Sequence, residues 1–187
     1  MSLTVFEQLR ACHVRRWHIV QVAREQTLAE HSFAVAVIAG SLAAAIRWPG
    51  LQHHSQQLQL LQWSLSHDLI EVRTGDMPTP FKRCLEQAGG PGIVEKAEDI
   101  MDRDHSGAYR SVRGTEVEMI VKLADQIEAI FFLQDNGLGQ HALQVLDGLR
   151  HILSEMVTDI ERQYPRLDVR EGVRRVCRDI GITGGWL

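Results

Sequence analysis

Apolar residues recur at spacings of three and four along most of this chain, the period of helices with one buried face. Leu3, Phe6 and Leu9 predict a short first helix that runs to about Arg10. Thr27 and Glu30 form a capping-box pair, and a helix from there to about residue 48 meets Pro49-Gly50. Leu58, Leu61, Leu65 and Leu69 predict one helix over 55–73, ended at Gly75, with the segment MPTP holding the chain extended after it. QAGGPG at 87–92 reads as a loop, 93–104 as a charged helix and 105–114 as a polar loop. Helices are predicted over 115–134, ended by Asn136-Gly137, over 140–163, stopped by Pro165, and over 169–179. No alternating strand pattern, repeat or low-complexity linker interrupts this. The reading is an all-α, single-domain bundle of six or seven helices covering residues 1–187.

Composition narrows the class without naming a chemistry. The 187 residues are 44% hydrophobic and 24% charged, the balance of a globular protein in water. A net charge of −4 argues against a general nucleic-acid binder, which carries a basic face. Cys12, Cys84 and Cys177 are scattered and odd in number, so free thiols in a cytoplasmic protein are expected. The N-terminus lacks an apolar signal core. The apolar run over 33–46 is shorter than the roughly 20 residues of a membrane span and reads as a buried helix.

The unusual stretch is SHDLIEVRTGDMPTP. His67 and Asp68 stand side by side, and Glu71 follows one turn later. On a helix His67 and Asp68 differ by about 100°, close enough to approach one ion together. Two further helices offer partners. His31 lies in AEHSFAVAVIAG, where the following turns are apolar, and Asp125 lies in VEMIVKLADQIEAIFFL, where a lone carboxylate is costly unless paired or ligating. Two imidazoles and two carboxylates suit one divalent transition metal such as Mn, Fe, Co, Ni or Zn. His13, His18, His53, His54, His105, His141 and His151 lack such company and read as surface or loop residues.

The order H…HD…D resembles the HD-domain metal-dependent phosphohydrolases, an all-α superfamily. RRW at 15–17, AEHSFAVA at 29–36, SHDLIEVRTGDMPTPFK at 66–82 and VKLAD at 121–125 are similar to two groups within it. One is the bacterial 5′-deoxynucleotidases. The other is the short dATP triphosphohydrolases of phages that replace adenine in their DNA. The similarity covers about residues 1–135.

The resemblance implies that His31, His67, Asp68 and Asp125 hold one divalent metal, with additional Mg for a triphosphate substrate. It implies that Glu71 orients or deprotonates the attacking water and that Arg16 clamps the phosphate. Trp17 would press on the sugar so that a 2′-hydroxyl fits badly, and Asp76 would contact the sugar or the leaving oxygen. Thr79 and Pro80 lie in a stiff segment that would wall a base pocket opposite Trp17 and Ile19. Lys82 follows that segment and Lys122 precedes Asp125 by three, so both read as able to reach a phosphate.

The expected partner is a small-molecule deoxynucleotide, with no nucleic acid and no membrane. The apolar C-terminal helices suggest a homo-oligomer, a dimer or larger. The chain would work in the cytoplasm, the host's if the source is viral. Three functions remain open: hydrolysis of a dNMP to deoxynucleoside and phosphate, hydrolysis of a dNTP with release of tripolyphosphate, and a non-catalytic nucleotide-binding module. The third would be marked by loss of a metal ligand or of Glu71, and neither is lost.

Overall fold

The computed structural model describes residues 3–101, 111–182 and 184. The helices are α1 (Val5–Leu9), α2 (Leu28–Ile46), α3 (His54–Ser66), α4 (Glu71–Thr74), α5 (Thr79–Gly89), α6 (Ile93–Met101), α7 (Glu116–Asn136), α8 (Gly139–Gln163) and α9 (Val169–Asp179). Seven of these described helices have nine residues or more, in keeping with the expected all-α bundle. Among the described residues there is no strand. Two isolated β-bridges, Arg15 with Thr27 and Val22 with Gly137, pin the loop that enters α2.

α2 is the central helix and packs on α3, α7 and α9, while α7 packs on α3 and α8. Val35, Ile38, Ala39 and Leu42 of α2 meet a core completed by Ile120, Leu123, Ile127 and Ile130 of α7, Leu153 and Val157 of α8, and Val173 of α9. α2 has the length and hydropathy of a membrane span, yet here it forms the middle of the bundle and carries a buried histidine. Its apolar character is not confined to the core face, because Phe33 and Val37 are exposed.

α9 crosses α2 where a side chain would not fit. A Cβ on Gly172 would lie 2.5 Å from Ile46 Cγ1 and 3.3 Å from Ile46 backbone atoms. Gly172→Ala is therefore expected to destabilise the fold by about 1–3 kcal/mol, read as a lowered Tm. An unchanged Tm would show that α9 can move off α2.

The boundaries depart from the sequence reading at identifiable places. The first helix starts at Val5, because Thr4 and Glu7 form a capping box, and Arg10 opens a 3-10 turn. α2 stops at Ile46, where Arg47 takes a left-handed conformation with φ 55°. The single helix expected over 55–73 is two, α3 and α4. Between them the N–H groups of Leu69, Glu71, Val72 and Arg73 reach back three residues rather than four.

The leucine stripe of α3 faces outward: Leu58, Leu61 and Leu65 are exposed, and Leu60 and Ser64 are the buried positions. Met77 and Pro78 are extended as expected, but Thr79 and Pro80 already belong to α5, which the sequence reading missed. A proline in the first turn is a helix-start signal as much as a helix stop. Of the charged helix over 93–104 and the loop over 105–114, residues 102–110 lie outside the described residues; 111–112 are helical and 113–114 form a turn. The three cysteines are free thiols.

Candidate active site

Three helices deliver the two imidazoles and a carboxylate to one point. His31 lies in the second turn of α2, His67 caps the C-terminus of α3, and Asp125 lies in the middle of α7. Their ligand atoms all fall within 4.8 Å of one another. His31 Nε2 is 3.3 Å from Asp125 Oδ1, and the two rings sit with centroids 5.4 Å apart. His31 is wholly buried, while the Asp125 side chain is 41% exposed and opens the site to solvent.

The outer nitrogens of both rings are already used. His31 Nδ1 lies 2.7 Å from Glu128 Oε2, and His67 Nδ1 lies 3.0 Å from the carbonyl of Ser64. A carbonyl only accepts, so Nδ1 of His67 carries the hydrogen, and the same holds for His31 facing a carboxylate. In its neutral form each ring then has its lone pair on Nε2. These two buried Nε2 atoms have no hydrogen-bond partner within the protein. Paired, preoriented imidazoles with unsatisfied Nε2 atoms next to carboxylates fit a divalent transition metal.

Asp68 stands at the rim of this group. Its Oδ2 is 3.6 Å from His31 Nε2, 3.5 Å from His67 Nε2 and 3.2 Å from Arg16 Nη1. The carboxylate is thus within reach of the ion position but is held by an arginine. The Arg16 side chain is 13% exposed, and its Nε has no hydrogen-bond partner.

A cleft of about 350 Å³ opens beside the cluster. Arg16, Trp17, Ile19, Asp76, Thr79, Pro80 and Asp125 all line it, together with Pro78 and Arg83. Trp17 has φ 65°, an uncommon conformation for a residue with a side chain, and its ring stacks on Phe132 at 5.8 Å. Glu71 is buried, with one oxygen 3.4 Å from Lys82 Nζ and the other without a partner. Lys82 thus lies against the buried carboxylate of Glu71.

Lys122 stands apart from the residues that line the cleft. Its separation of three from Asp125 suggested a phosphate contact, but its ammonium is held by Glu118 one turn back at 2.7 Å, outside the cleft.

The far wall escaped the sequence reading. His141, Val145, Gly148, Leu149 and Ile152 of α8 line the cleft, and Gln126 donates to the Leu149 carbonyl at 2.8 Å, tying α8 to α7 beside Asp125. His18 and His141, read as plain surface residues, stand at this cleft. Glu128 was also missed, although a second acid three residues after Asp125 in an apolar helix carries the same signal.

In the metal-free protein the charges in this cluster oppose one another. Burial and Arg16 push the His31 imidazole down, but Asp68, Glu128 and Asp125 outweigh them and raise it to about 9. Burial raises the Glu71 carboxyl to about 8, with Asp68 and Asp76 adding and Lys82 and Arg16 opposing. Burial works against ionised Asp68, yet His67, His31 and Arg16 hold it well below the usual carboxylate range.

His31 and Glu71 therefore bind more protons folded than unfolded. Their stabilisation is complete below the ordinary values of 6.5 and 4.5 and is lost as pH rises through about 9 and about 8. Asp68 acts oppositely and only in acid. Protein stripped with a chelator should lose Tm between pH 6.5 and 9, a loss that a bound ion removes by displacing the imidazole proton. A flat or rising metal-free profile in calorimetry would contradict this assignment.

The family profile described as 5′-deoxynucleotidase YfbR-like matches residues 4–134, a span containing His31, His67, Asp68, Glu71 and Asp125. This chain belongs to the YfbR-like family. It is an HD-type metal-dependent phosphohydrolase. Among its relatives, the dATP triphosphohydrolase of cyanophage S-2L is 34% identical over 167 residues, covering 84% of this chain and 87% of the relative. The 5′-deoxynucleotidase YfbR of Salmonella paratyphi B is 40% identical over 127 residues, covering 61% of this chain and 62% of the relative. The solved cyanophage S-2L HD phosphohydrolase, bound to dA and one catalytic Zn²⁺ ion, superposes with a TM-score of 0.79. It is 28% identical, covering 98% of this chain and all of its own.

Proposed function

We propose that the protein hydrolyses 2′-deoxynucleotides at the phosphate nearest C5′, preferring a triphosphate of the dATP type and releasing tripolyphosphate. The observation that carries this choice is the α8 wall. It lies beyond residue 134, where the family match stops, whereas similarity to the phage dATP triphosphohydrolase spans 84% of the chain. Arg83 in the cleft also supplies positive charge beyond Arg16, which the longer phosphate chain needs.

A dNMP reading is favoured by the 40% identity to YfbR over 127 residues. Product analysis separates the two. Tripolyphosphate from dATP is expected. Free phosphate from dAMP, with dATP untouched, selects the second reading, and no product from either sinks both.

The mechanism follows from the side chains. His31, His67 and Asp125, with Asp68 as a fourth donor, would hold the ion, which supplies Lewis acidity toward water and a phosphoryl oxygen. Glu71 takes the proton from the attacking water, since its burial raises its basicity toward neutral pH. Arg16 passes from Asp68 to the incoming phosphate, where its planar fork meets two oxygens and frees Asp68 for the ion. Trp17 and Ile19 face the sugar and base across from Thr79 and Pro80, and Asp76 lies at the sugar or the leaving oxygen.

The remaining proposals concern setting. A small anionic substrate rather than nucleic acid agrees with the net charge of −4. The cytoplasm, a host's for a viral chain, is the compartment that supplies deoxynucleotides. Exposed Phe33 and Val37 on α2, and Leu58, Leu61 and Leu65 on α3, support a homo-oligomer. A monomeric mass by light scattering at micromolar concentration would contradict it.

A further inference from the structure

Two buried polar residues, Gln26 and Glu128, have no contact with the cleft, yet they join its wall to the ion site. Three hydrogen bonds run in series. Trp17 Nε1 donates to Gln26 Oε1 at 2.8 Å, and the Gln26 amide nitrogen donates to Glu128 Oε1 at 2.5 Å. His31 Nδ1 donates to Glu128 Oε2 at 2.7 Å. Gln26 is 2% exposed, Glu128 1% and His31 0%, so water does not compete for these bonds.

Chemistry fixes the direction of this chain. An indole N–H only donates, so the amide oxygen of Gln26 must face Trp17. The amide nitrogen then faces Glu128, and a carboxylate only accepts. The second carboxylate oxygen takes the hydrogen of His31 Nδ1, leaving the Nε2 lone pair for an ion. The pose of Trp17 is itself costly: its backbone is left-handed at φ 65°. Gln26 also accepts the Arg16 backbone N–H at 2.9 Å through its own carbonyl, so it anchors both ends of the Arg16-Trp17 pair.

We propose that Gln26 is a positioning residue that couples the nucleotide wall at Trp17 to the metal ligand His31. Ion affinity and preference for deoxyribose over ribose then depend on one amide. The sugar half of this inference rests on the proposed function; the ion half does not. A residue serving only to satisfy buried Glu128 would affect stability and leave both properties alone.

The test uses Gln26→Met, which keeps the volume and removes both amide bonds. Zn²⁺ affinity is read by competition with a chromophoric chelator, without nucleotide. It should fall about threefold to tenfold, and the deoxy-to-ribo ratio of kcat/KM should fall about tenfold. In wild type the Trp17 indole N–H resonance, assigned by its loss in Trp17→Phe, should shift on adding Zn²⁺; in Gln26→Met it should not.

Trp17→Phe keeps the proposal open to refutation if Gln26→Met does not fold. It removes the terminal donor of the series and should still weaken Zn²⁺ binding, by about twofold to fivefold. Wild-type Zn²⁺ affinity in either folded variant overturns the coupling. A wild-type enzyme that cleaves no deoxynucleotide would refute the proposed function instead, because ion affinity and the indole resonance need no substrate.

Discussion

His67→Ala is expected to abolish turnover and ion retention together. Its Nε2 is, among the described residues, one of two buried imidazole nitrogens with no hydrogen-bond partner, and its Nδ1 is committed to the Ser64 carbonyl. Loss of an outer hydrogen-bond partner of a metal ligand already costs about 10–100-fold in affinity or activity. Removing the ligand itself should exceed that, leaving a rate below about a thousandth of wild type. Metal analysis of the purified variant should fall from one ion per chain toward none. The fold should survive, because His67 lies at the C-terminal end of α3. A variant that keeps both its ion and its rate would remove His67 from the site.

Glu71→Gln separates ion binding from proton transfer. The amide is isosteric but takes no proton, so kcat should fall about 10²–10⁴-fold while ion content stays at the wild-type level. Glu71 in the metal-free protein sits at about 8, raised chiefly by burial. A cation beside Asp68 moves it down toward neutrality by favouring the carboxylate. The wild-type rate should rise with pH as this base loses its proton, and the variant's residual rate should lack that limb. A fully active Glu71→Gln enzyme would place the base elsewhere.

The bundle was legible because its long helices carry their own punctuation. Thr27 with Glu30 forms the capping box that starts α2, and the sequence marks it without structural help. The four ligand candidates were legible as charges and imidazoles that an apolar helix does not otherwise tolerate. Ideal helical spacing, however, could not place them. His67 and Asp68 stand where the chain tightens from i−4 to i−3 bonding, and that local departure turns Asp68 toward Arg16.

Three other features left weaker traces. The exposed leucines of α3 have helical period, but period alone does not say which face the core takes. The α8 wall depends on the register of α8 against α7, set by packing and by Gln126 on the Leu149 carbonyl. Gln26 precedes the helix cap and resembles any loop glutamine; only folding puts its amide between an indole and a carboxylate.

The most direct test is a crystal structure of the protein grown with Zn²⁺, phased or verified at the zinc absorption edge. One ion per chain is expected, bonded to His31 Nε2 and His67 Nε2 at about 2.0–2.1 Å, with Asp125 and Asp68 oxygens completing the set. An ion bound elsewhere, or imidazoles turned away from it at saturating zinc, would contradict the account.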